Sequence, residues 1–256
     1  MIKAVFFDID GTLIAHDLKV VPKDTRKALE SLKKKGIKCV VASGRHLLEF
    51  AFLDIADLKF DAYVLLNGQL CLDDKYEVIY DNPISTKDRD KLIEAFNTHL
   101  LPLAIVEKDR LYINFNNEDV KKAQDSISSP LFKVGEYKGD AIYQITAFGN
   151  EDKLRELVKD LKSVKLTRWN PLGVDIIPSI GGKAKGIEAV LKTFAIKEDE
   201  FMAFGDGEND IDMLKMAKIG VAMGNSSKAL KEVADYVSLD AGRGGISEAL
   251  RHFEII

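Results

Sequence analysis

Short apolar runs alternate with charged, helix-like stretches at the start of the chain. Three such runs are Lys3–Asp8, Ile37–Ala42 and Ala62–Leu66. Their length and their Val and Phe content favour buried strands. A charged helix is predicted between the start signal Pro22 and the stop signal Gly36, and another helix is predicted after His46. Strands separated by helical crossovers predict a parallel sheet that is covered on both faces.

Between residues 83 and 177 the pattern changes, and helices are mixed with strands that pair locally. The predicted helices are Thr86–His99, Glu118–Ile127 and Glu151–Leu161. The predicted strands are Leu103–Val106, Arg110–Phe115, Ala141–Phe148, Val164–Trp169 and Val174–Ile177. This mixture indicates a separate α+β domain.

The alternation of strand and helix returns after residue 178. It predicts helices around 187–194 and 211–217, and strands at Phe201–Phe204, Gly220–Met223 and Tyr236–Leu239. The predicted fold class is therefore α/β, with a doubly wound parallel-sheet core formed by residues 1–82 and 178–256. Residues 83–177 form the inserted α+β domain.

Composition narrows the class of protein. The 256 residues are 46% hydrophobic and 30% charged, which excludes a disordered chain. Lys and Arg number 37 against 41 Asp and Glu. No basic field is therefore available for nucleic acid or an anionic membrane, and we expect a small-molecule partner.

Cysteine usage and the N-terminus suggest where the protein acts. Cys39 and Cys71 lie in apolar stretches, so we expect buried free thiols in a reducing compartment, the cytoplasm. The N-terminus offers no cleavage site and the chain has no apolar run that could span a bilayer. We therefore expect a soluble, unprocessed protein, either a monomer or, as the alternative, a homodimer.

Polar residues follow the apolar part of four predicted strands. They are Asp8, Ser43, Asn67 and Asp206. The carboxyl ends of parallel strands meet at one edge of a sheet, where open α/β proteins bind their ligands. The sequence therefore predicts one site assembled from four separate segments.

The first segment carries two carboxylates, Asp8 and Asp10, before Gly11. Residues two apart in an extended strand point to the same side, so both can face one reacting centre. If their environment gives the two carboxyl groups different pKa values, one can act as nucleophile and the other as acid and base. The alternatives are a surface turn, in which D-x-D occurs freely, and a calcium loop, in which the glycine comes later.

The last segment, GDGENDID, runs from a strand into a helix. Asp206 and Asp210 supply the oxygen ligands that Mg²⁺ prefers. The alternative is helix capping, a role that Asn209 or Asp210 can also fill.

Two further segments offer groups that bind phosphate. Ser43 can donate a hydrogen bond to a phosphate oxygen, and Gly44 and Arg45 continue its loop. A helix cap is the alternative role for Ser43. Lys183 precedes a helix and supplies a positive charge, with Lys185 as the alternative.

The segments DIDGTL, VVASGR, GGKAKG and GDGENDIDML, in this order, resemble the four motifs of the haloacid dehalogenase superfamily of Mg²⁺-dependent phosphatases. The position of the inserted domain resembles the type IIB cap of the Cof-like sugar-phosphate phosphatases. The similarity spans the whole chain, including LLNGQ, RWNPLGVDIIP and GVAMGNSSKALKEVADYV. It implies a Rossmann-like core with a cap that determines substrate specificity and closes over the leaving group.

The resemblance implies roles for the acidic residues. Asp8 matches the nucleophile that forms an aspartyl-phosphate, and Asp10 matches the general acid and base. Asp8, the backbone carbonyl of Asp10 and Asp206 match the Mg²⁺ ligands. Asp210 matches a further ligand or a residue that supports them.

It also implies roles for residues that contact the substrate. Ser43, Gly44, Lys183 and Asn209 match the phosphate-binding residues. The candidates for selecting the leaving group are Arg45, Asn67, Gly68 and Asp175, and Arg168 and Trp169 are further candidates.

The predicted activity is that of a phosphoric monoester hydrolase acting on small phosphorylated metabolites, such as hexose phosphates. One alternative is a phosphotransferase or phosphomutase, in which a sugar hydroxyl replaces water as the acceptor. The other is a non-catalytic phospho-aspartate switch protein, against which Asp10 argues. Because the site is rich in carboxylates, we expect the metal-free protein to bind a phosphorylated substrate poorly.

Overall fold

A computed structural model of the protein describes residues 1–127 and 129–256. The side chain of Trp169 lies outside the described part, and so does the prediction made for that residue. The chain divides into two compact units. The first comprises Met1–Tyr80 and Gly182–Ile256, and the second comprises Asp81–Gly181.

The strands of the described residues are, in chain order, β1 (Ala4–Phe7), β2 (Lys38–Ala42), β3 (Ala62–Leu65), β4 (Leu70–Asp73), β5 (Val78–Asp81), β6 (Leu103–Val106), β7 (Leu111–Ile113), β8 (Gln144–Phe148), β9 (Val164–Asn170), β10 (Gly173–Pro178), β11 (Phe201–Gly205), β12 (Ile219–Ala222) and β13 (Tyr236–Val237). The α-helices are α1 (Lys23–Lys34), α2 (Thr86–Thr98), α3 (Glu118–Ser126), α4 (Glu151–Val158), α5 (Lys183–Thr193), α6 (Ile211–Met216), α7 (Lys228–Lys231) and α8 (Gly245–His252).

The sheet of the first unit is mainly parallel. Across the described residues its strand order is β13-β12-β11-β1-β2-β3-β4-β5. The pairs from β13 to β3 are parallel, and β3 and β4 are antiparallel. All four residues of β1 are buried, as expected for a central strand covered on both faces. This unit carries the polar strand ends that the sequence singles out.

The second unit has a sheet with the strand order β7-β6-β8-β10-β9, and each neighbouring pair is antiparallel. Ser85, Asn117 and Asn150 cap α2, α3 and α4 through side-chain oxygens that accept hydrogen bonds from the helix backbone. Its main apolar cluster lies between one face of the sheet and residues of α2 and α4, including Leu92, Phe96 and Leu154. Antiparallel strands packed on helices give the mixed architecture predicted for this part of the chain.

The structure specifies one expectation about the first unit and corrects another. The helix predicted after His46 is a short 3₁₀-helix, Leu47–Phe52. The sheet is not wholly parallel, because the unpredicted strand β4 returns alongside β3 through a tight turn. Both cysteines are buried and free, as expected. Among the described residues, we find no helix with the length and apolar character needed to cross a membrane.

Candidate active site

Polar residues follow four neighbouring strands of the first unit. Asp8 follows β1, Ser43 follows β2 and Asp206 follows β11, while Asn67 comes two residues after β3. These strands are adjacent and parallel. Their carboxyl ends therefore meet at one edge of the sheet, where the strand pattern places the candidate site.

Lys183, the first residue of α5, joins two carboxylates. Its Nζ lies 2.6 Å from Oδ1 of Asp8 and 2.6 Å from Oδ1 of Asp210, and the residue is 2% exposed. Although burial lowers it, the two carboxylates raise the pKa of Lys183 above its ordinary value, so the ammonium group stays charged. Lys185 is exposed and pairs with Glu188. The geometry thus favours Lys183 as the cation of the site.

Asp210 also holds the loop that carries Asp206. Its Oδ2 accepts hydrogen bonds from the backbone amides of Asp206 and Gly207, both at 3.0 Å. In the same turn, Nδ2 of Asn209 donates to Oδ1 of Asn67 at 3.1 Å. The loop after β11 is therefore tied to the loop after β3.

Asp8, Asp206 and Asp210 form a compact group of carboxylates. One oxygen from each lies within 4.8 Å of the others. Burial raises the pKa of Asp8 well above its ordinary value, and neighbouring carboxylates add to this effect while Lys183 opposes it. Burial and then the charge of Asp210 raise the pKa of Asp206 to about 6. One lysine cannot compensate three carboxylates, so the group suits a divalent cation that prefers oxygen ligands, such as Mg²⁺.

Asp10 is held in a two-pronged ion pair with Arg45. Arg45 Nε lies 2.6 Å from Oδ2 of Asp10, and Nη2 lies 2.8 Å from Oδ1. This is the fork geometry that a guanidinium group forms with a carboxylate. The Asp10 side chain is 40% exposed, against 12% for Arg45. The residue suggested by the sequence as substrate-selecting therefore contacts the candidate general acid.

The loops after β2 and β3 approach each other closely. The backbone amide of Asn67 donates to the carbonyl of Ser43 at 3.0 Å. A Cβ on Gly44 would lie 3.2 Å from Nδ2 of Asn67. Gly68 has φ +86°, and a Cβ there would lie 2.1 Å from the carbonyl oxygen of Gly182. The backbone therefore leaves no room for a side chain at Gly68, whereas a Cβ at Gly44 would crowd the Asn67 side chain.

The remaining candidates belong to the second unit. Asp175 is buried in β10, and its Oδ1 accepts a hydrogen bond from the Thr146 hydroxyl at 2.7 Å. Arg168 is exposed and pairs with Glu151. Their roles in substrate selection stay predictions.

The sequence reasoning missed two polar neighbours of Asp206. Nδ2 of Asn225 donates to the carbonyl of Gly11 at 2.9 Å and lies 3.4 Å from Oδ2 of Asp206. Nε2 of His16 lies 3.5 Å from the same oxygen. Asn225 comes shortly after β12, so the argument that polar residues after parallel strands meet at one sheet edge also applies to it. His16 lies in a turn that carries no comparable signal.

Comparison with known proteins assigns the family. The sequence model of the haloacid dehalogenase-like hydrolases matches residues 5–250. The chain therefore belongs to this family. The resemblance stated from the four motifs is confirmed, as is the α/β fold class with a parallel-sheet core.

Individual relatives are similar over nearly their whole length. YkrA of Bacillus subtilis (strain 168) is 30% identical, with 99% of this chain and 98% of YkrA covered. The 5-amino-6-(5-phospho-D-ribitylamino)uracil phosphatase YcsE of the same organism is 26% identical, with 98% and 96% covered. The solved structure of BT4131, described as a HAD subclass IIB sugar phosphatase, has a TM-score of 0.85 and 34% identity, with 99% and 100% covered.

Proposed function

We propose that the protein is a Mg²⁺-dependent phosphatase that hydrolyses phosphomonoesters of small metabolites. The observation that carries this proposal is the buried ion pair of Asp8 with Lys183 within the carboxylate group that includes Asp206 and Asp210. It combines a candidate nucleophile, a fixed positive charge and a set of oxygen ligands at one sheet edge. Membership of a hydrolase family supports the proposal.

In this proposal, residues around Asp8 bind the phosphate group. Lys183 supplies positive charge to the phosphate oxygens, and the Ser43 hydroxyl and the Asn209 amide donate hydrogen bonds to them. Gly44 lets the backbone of its loop approach the phosphate closely. Because these groups come from separate segments of the first unit, they hold the phosphorus atom in place for attack.

The carboxylates of Asp8, Asp206 and Asp210, together with the backbone carbonyl of Asp10, hold Mg²⁺ in this proposal. Bound Mg²⁺ neutralises the charge that the carboxylates and the phosphate oxygens bring together. Burial and the neighbouring carboxylates raise the pKa values of Asp8 and Asp206, and a bound cation would offset both effects, which supports this assignment.

The chemistry then uses two carboxylates in turn. An Asp8 oxygen attacks phosphorus, the ester P–O bond breaks, and the phosphoryl group stays on Asp8. Asp10 gives its proton to the oxygen of the departing alcohol. Asp10 next takes a proton from the water that attacks the acyl phosphate, which releases inorganic phosphate and restores Asp8.

We assign sugar phosphates as the substrate class and the inserted second unit as the specificity domain. The description of BT4131 as a sugar phosphatase supports this class. So does the name of YcsE, whose substrate carries a phosphorylated ribityl chain. A panel of phosphorylated sugars ranked by kcat/KM tests it, and a ranking led by phosphates without a sugar or polyol would contradict it. Release of phosphate labelled from ¹⁸O water distinguishes hydrolysis from transfer to a sugar hydroxyl.

Hydrolysis of p-nitrophenyl phosphate with and without Mg²⁺ tests the proposed activity. We expect turnover with Mg²⁺, loss of turnover after chelation, and recovery when Mg²⁺ is restored. In Asp8→Asn we expect kcat to fall by at least about 10³, since the nucleophile is removed. Undiminished turnover in this variant would contradict the mechanism.

Thermal unfolding tests the metal site without relying on activity. We expect Mg²⁺ to raise the Tm of the protein, because binding to the folded state relieves repulsion among the carboxylates. Asp206→Asn should remove most of this rise. Asp212→Asn changes an exposed aspartate in the same region and should retain it. An equal Mg²⁺ effect in both variants would refute the assigned ligands.

A further inference from the structure

Glu49 lies in the 3₁₀-helix that follows the loop of Ser43 and Arg45. The turn starts at His46, whose Nδ1 accepts a hydrogen bond from the backbone amide of Leu48 at 3.2 Å. Oε2 of Glu49 accepts a hydrogen bond from the backbone amide of His46 at 2.7 Å. The Glu49 side chain is therefore folded back toward the residue that precedes the turn.

This conformation brings the second oxygen of Glu49 to Arg45. Arg45 Nη1 lies 3.4 Å from Oε1 of Glu49, while its Nε and Nη2 hold both oxygens of Asp10. The guanidinium group thus lies between the two carboxylates. The side chains of Arg45 and Glu49 are 12% and 27% exposed, so water screens their interaction less than that of a fully exposed pair.

We propose that Glu49 is a positioning residue: it fixes the guanidinium group of Arg45 and, through it, the Asp10 carboxyl group that protonates the leaving oxygen. The inference rests on the proposed phosphatase function. The contact of Nη1 with Glu49 restricts the orientation of the Arg45 guanidinium group. It thereby also restricts the Asp10 carboxylate, which is bonded to Nε and Nη2. Proton transfer requires hydrogen-bond contact with the leaving oxygen, so a small displacement of Asp10 weakens it.

The dependence on the leaving group separates this role from a general structural one. A sugar alkoxide is a poor leaving group and needs the proton of Asp10 as the P–O bond breaks. A p-nitrophenolate ion leaves readily without one. Since kcat/KM reports the steps up to formation of the phosphorylated enzyme, a misplaced Asp10 should lower kcat/KM for a hexose phosphate much more than for p-nitrophenyl phosphate.

The experiment compares kcat/KM of Glu49→Ala, Glu49→Gln and the wild type on these two substrates. For Glu49→Ala we expect a loss of about tenfold on the hexose phosphate, part of the roughly 10²–10⁴ that a positioned acid supplies, and less than a twofold loss on p-nitrophenyl phosphate. Glu49→Gln should recover part of the loss, because its amide oxygen can still accept a hydrogen bond. Asp10→Asn should show the same selectivity more strongly.

Glu30→Gln is the matched control, since Glu30 is exposed on α1. This variant should keep the kcat/KM of the wild type on both substrates. Equal losses on the two substrates in Glu49→Ala, or no loss on either, would overturn the inference. If the wild type hydrolyses both substrates but this selectivity is absent, the inference fails alone. If the wild type hydrolyses neither substrate with Mg²⁺, the proposed function fails and the inference falls with it.

Discussion

Nζ of Lys183 lies 2.6 Å from Oδ1 of Asp8, in an ion pair whose side chains are 1% and 9% exposed. The same ammonium group contacts Asp210 at 2.6 Å. Removal of one partner from a pair this well shielded from water strongly destabilises the fold, because the remaining charge stays buried without a partner. Lys183 therefore stabilises the fold around the candidate nucleophile as well as supplying charge for phosphate.

Replacement of Lys183 by Met should damage both stability and activity. We expect the metal-free Lys183→Met protein to lose about 3–5 kcal/mol of unfolding free energy, as for other broken buried pairs. We also expect kcat/KM to fall by at least about 10². Urea unfolding and p-nitrophenyl phosphate hydrolysis measure the two effects. Lys185→Met provides the control, and a larger effect at Lys185 would reverse the assignment of the phosphate-binding lysine.

Gly68 supports Lys183 from the neighbouring loop. A Cβ at Gly68 would lie 2.1 Å from the Gly182 carbonyl oxygen and 3.0 Å from the Lys183 amide nitrogen. Gly68→Ala should therefore displace the start of α5 and lower kcat/KM by about tenfold or more.

Gly36→Ala separates this effect from backbone strain. Gly36 also has a positive φ, +72°, but a Cβ there would meet no atom within 4 Å. We expect Gly36→Ala to lower the unfolding free energy by about 1–2 kcal/mol and to leave kcat/KM unchanged. Equal losses of kcat/KM in the two variants would show that the contact with Gly182 is unimportant.

We expect the hydrogen bonds of Asp88 to make a pH-dependent contribution to the stability of the second unit. Its Oδ2 accepts hydrogen bonds from the amides of Lys162, at 3.2 Å, and Ser163, at 2.7 Å, and from the Ser163 hydroxyl. Although burial raises it, these hydrogen bonds lower the pKa of Asp88 below its ordinary value. The carboxylate thus stabilises the folded state above the ordinary pKa of about 4, and this stabilisation is lost as the pH falls through the lower folded value.

Asp88→Asn should therefore cost about 1–3 kcal/mol of unfolding free energy at pH 7, and the difference from the wild type should shrink below about pH 4. Urea unfolding across this range measures the difference. Asp109→Asn changes an exposed aspartate of the same unit and should have no effect. A cost for Asp88→Asn that stays constant with pH would contradict the role of the charge.

The strand ends could be predicted from sequence because a simple geometric rule governs them. Asp8, Ser43 and Asp206 follow apolar runs, and parallel strands bring such positions to one edge. The resemblance selects Lys183, but the residues alone leave Lys185 as an alternative, since both lie near the start of one helix. Burial separates them: Lys183 faces Asp8, whereas Lys185 faces solvent.

The contacts of Arg45 could not be predicted, because they depend on the side-chain conformation and on the type of helix that follows. The sequence predicts a helix after His46 without its type, and the segment is a 3₁₀-helix in which Glu49 accepts a hydrogen bond from the His46 amide. Strand β4 is not predicted because it is only four residues long and follows a turn at Asn67 and Gly68, both with positive φ.

The most direct test of the proposed mechanism is mass spectrometry of the protein quenched with acid during turnover of p-nitrophenyl phosphate with Mg²⁺, because this leaving group needs no proton from Asp10. We predict a phosphoryl group on the peptide that contains Asp8, more abundant in Asp10→Asn, where removal of the base slows its hydrolysis, and absent in Asp8→Asn. Turnover by the wild type with no phosphoryl group on this peptide in either the wild type or Asp10→Asn, or a phosphoryl group on another residue, would contradict the account.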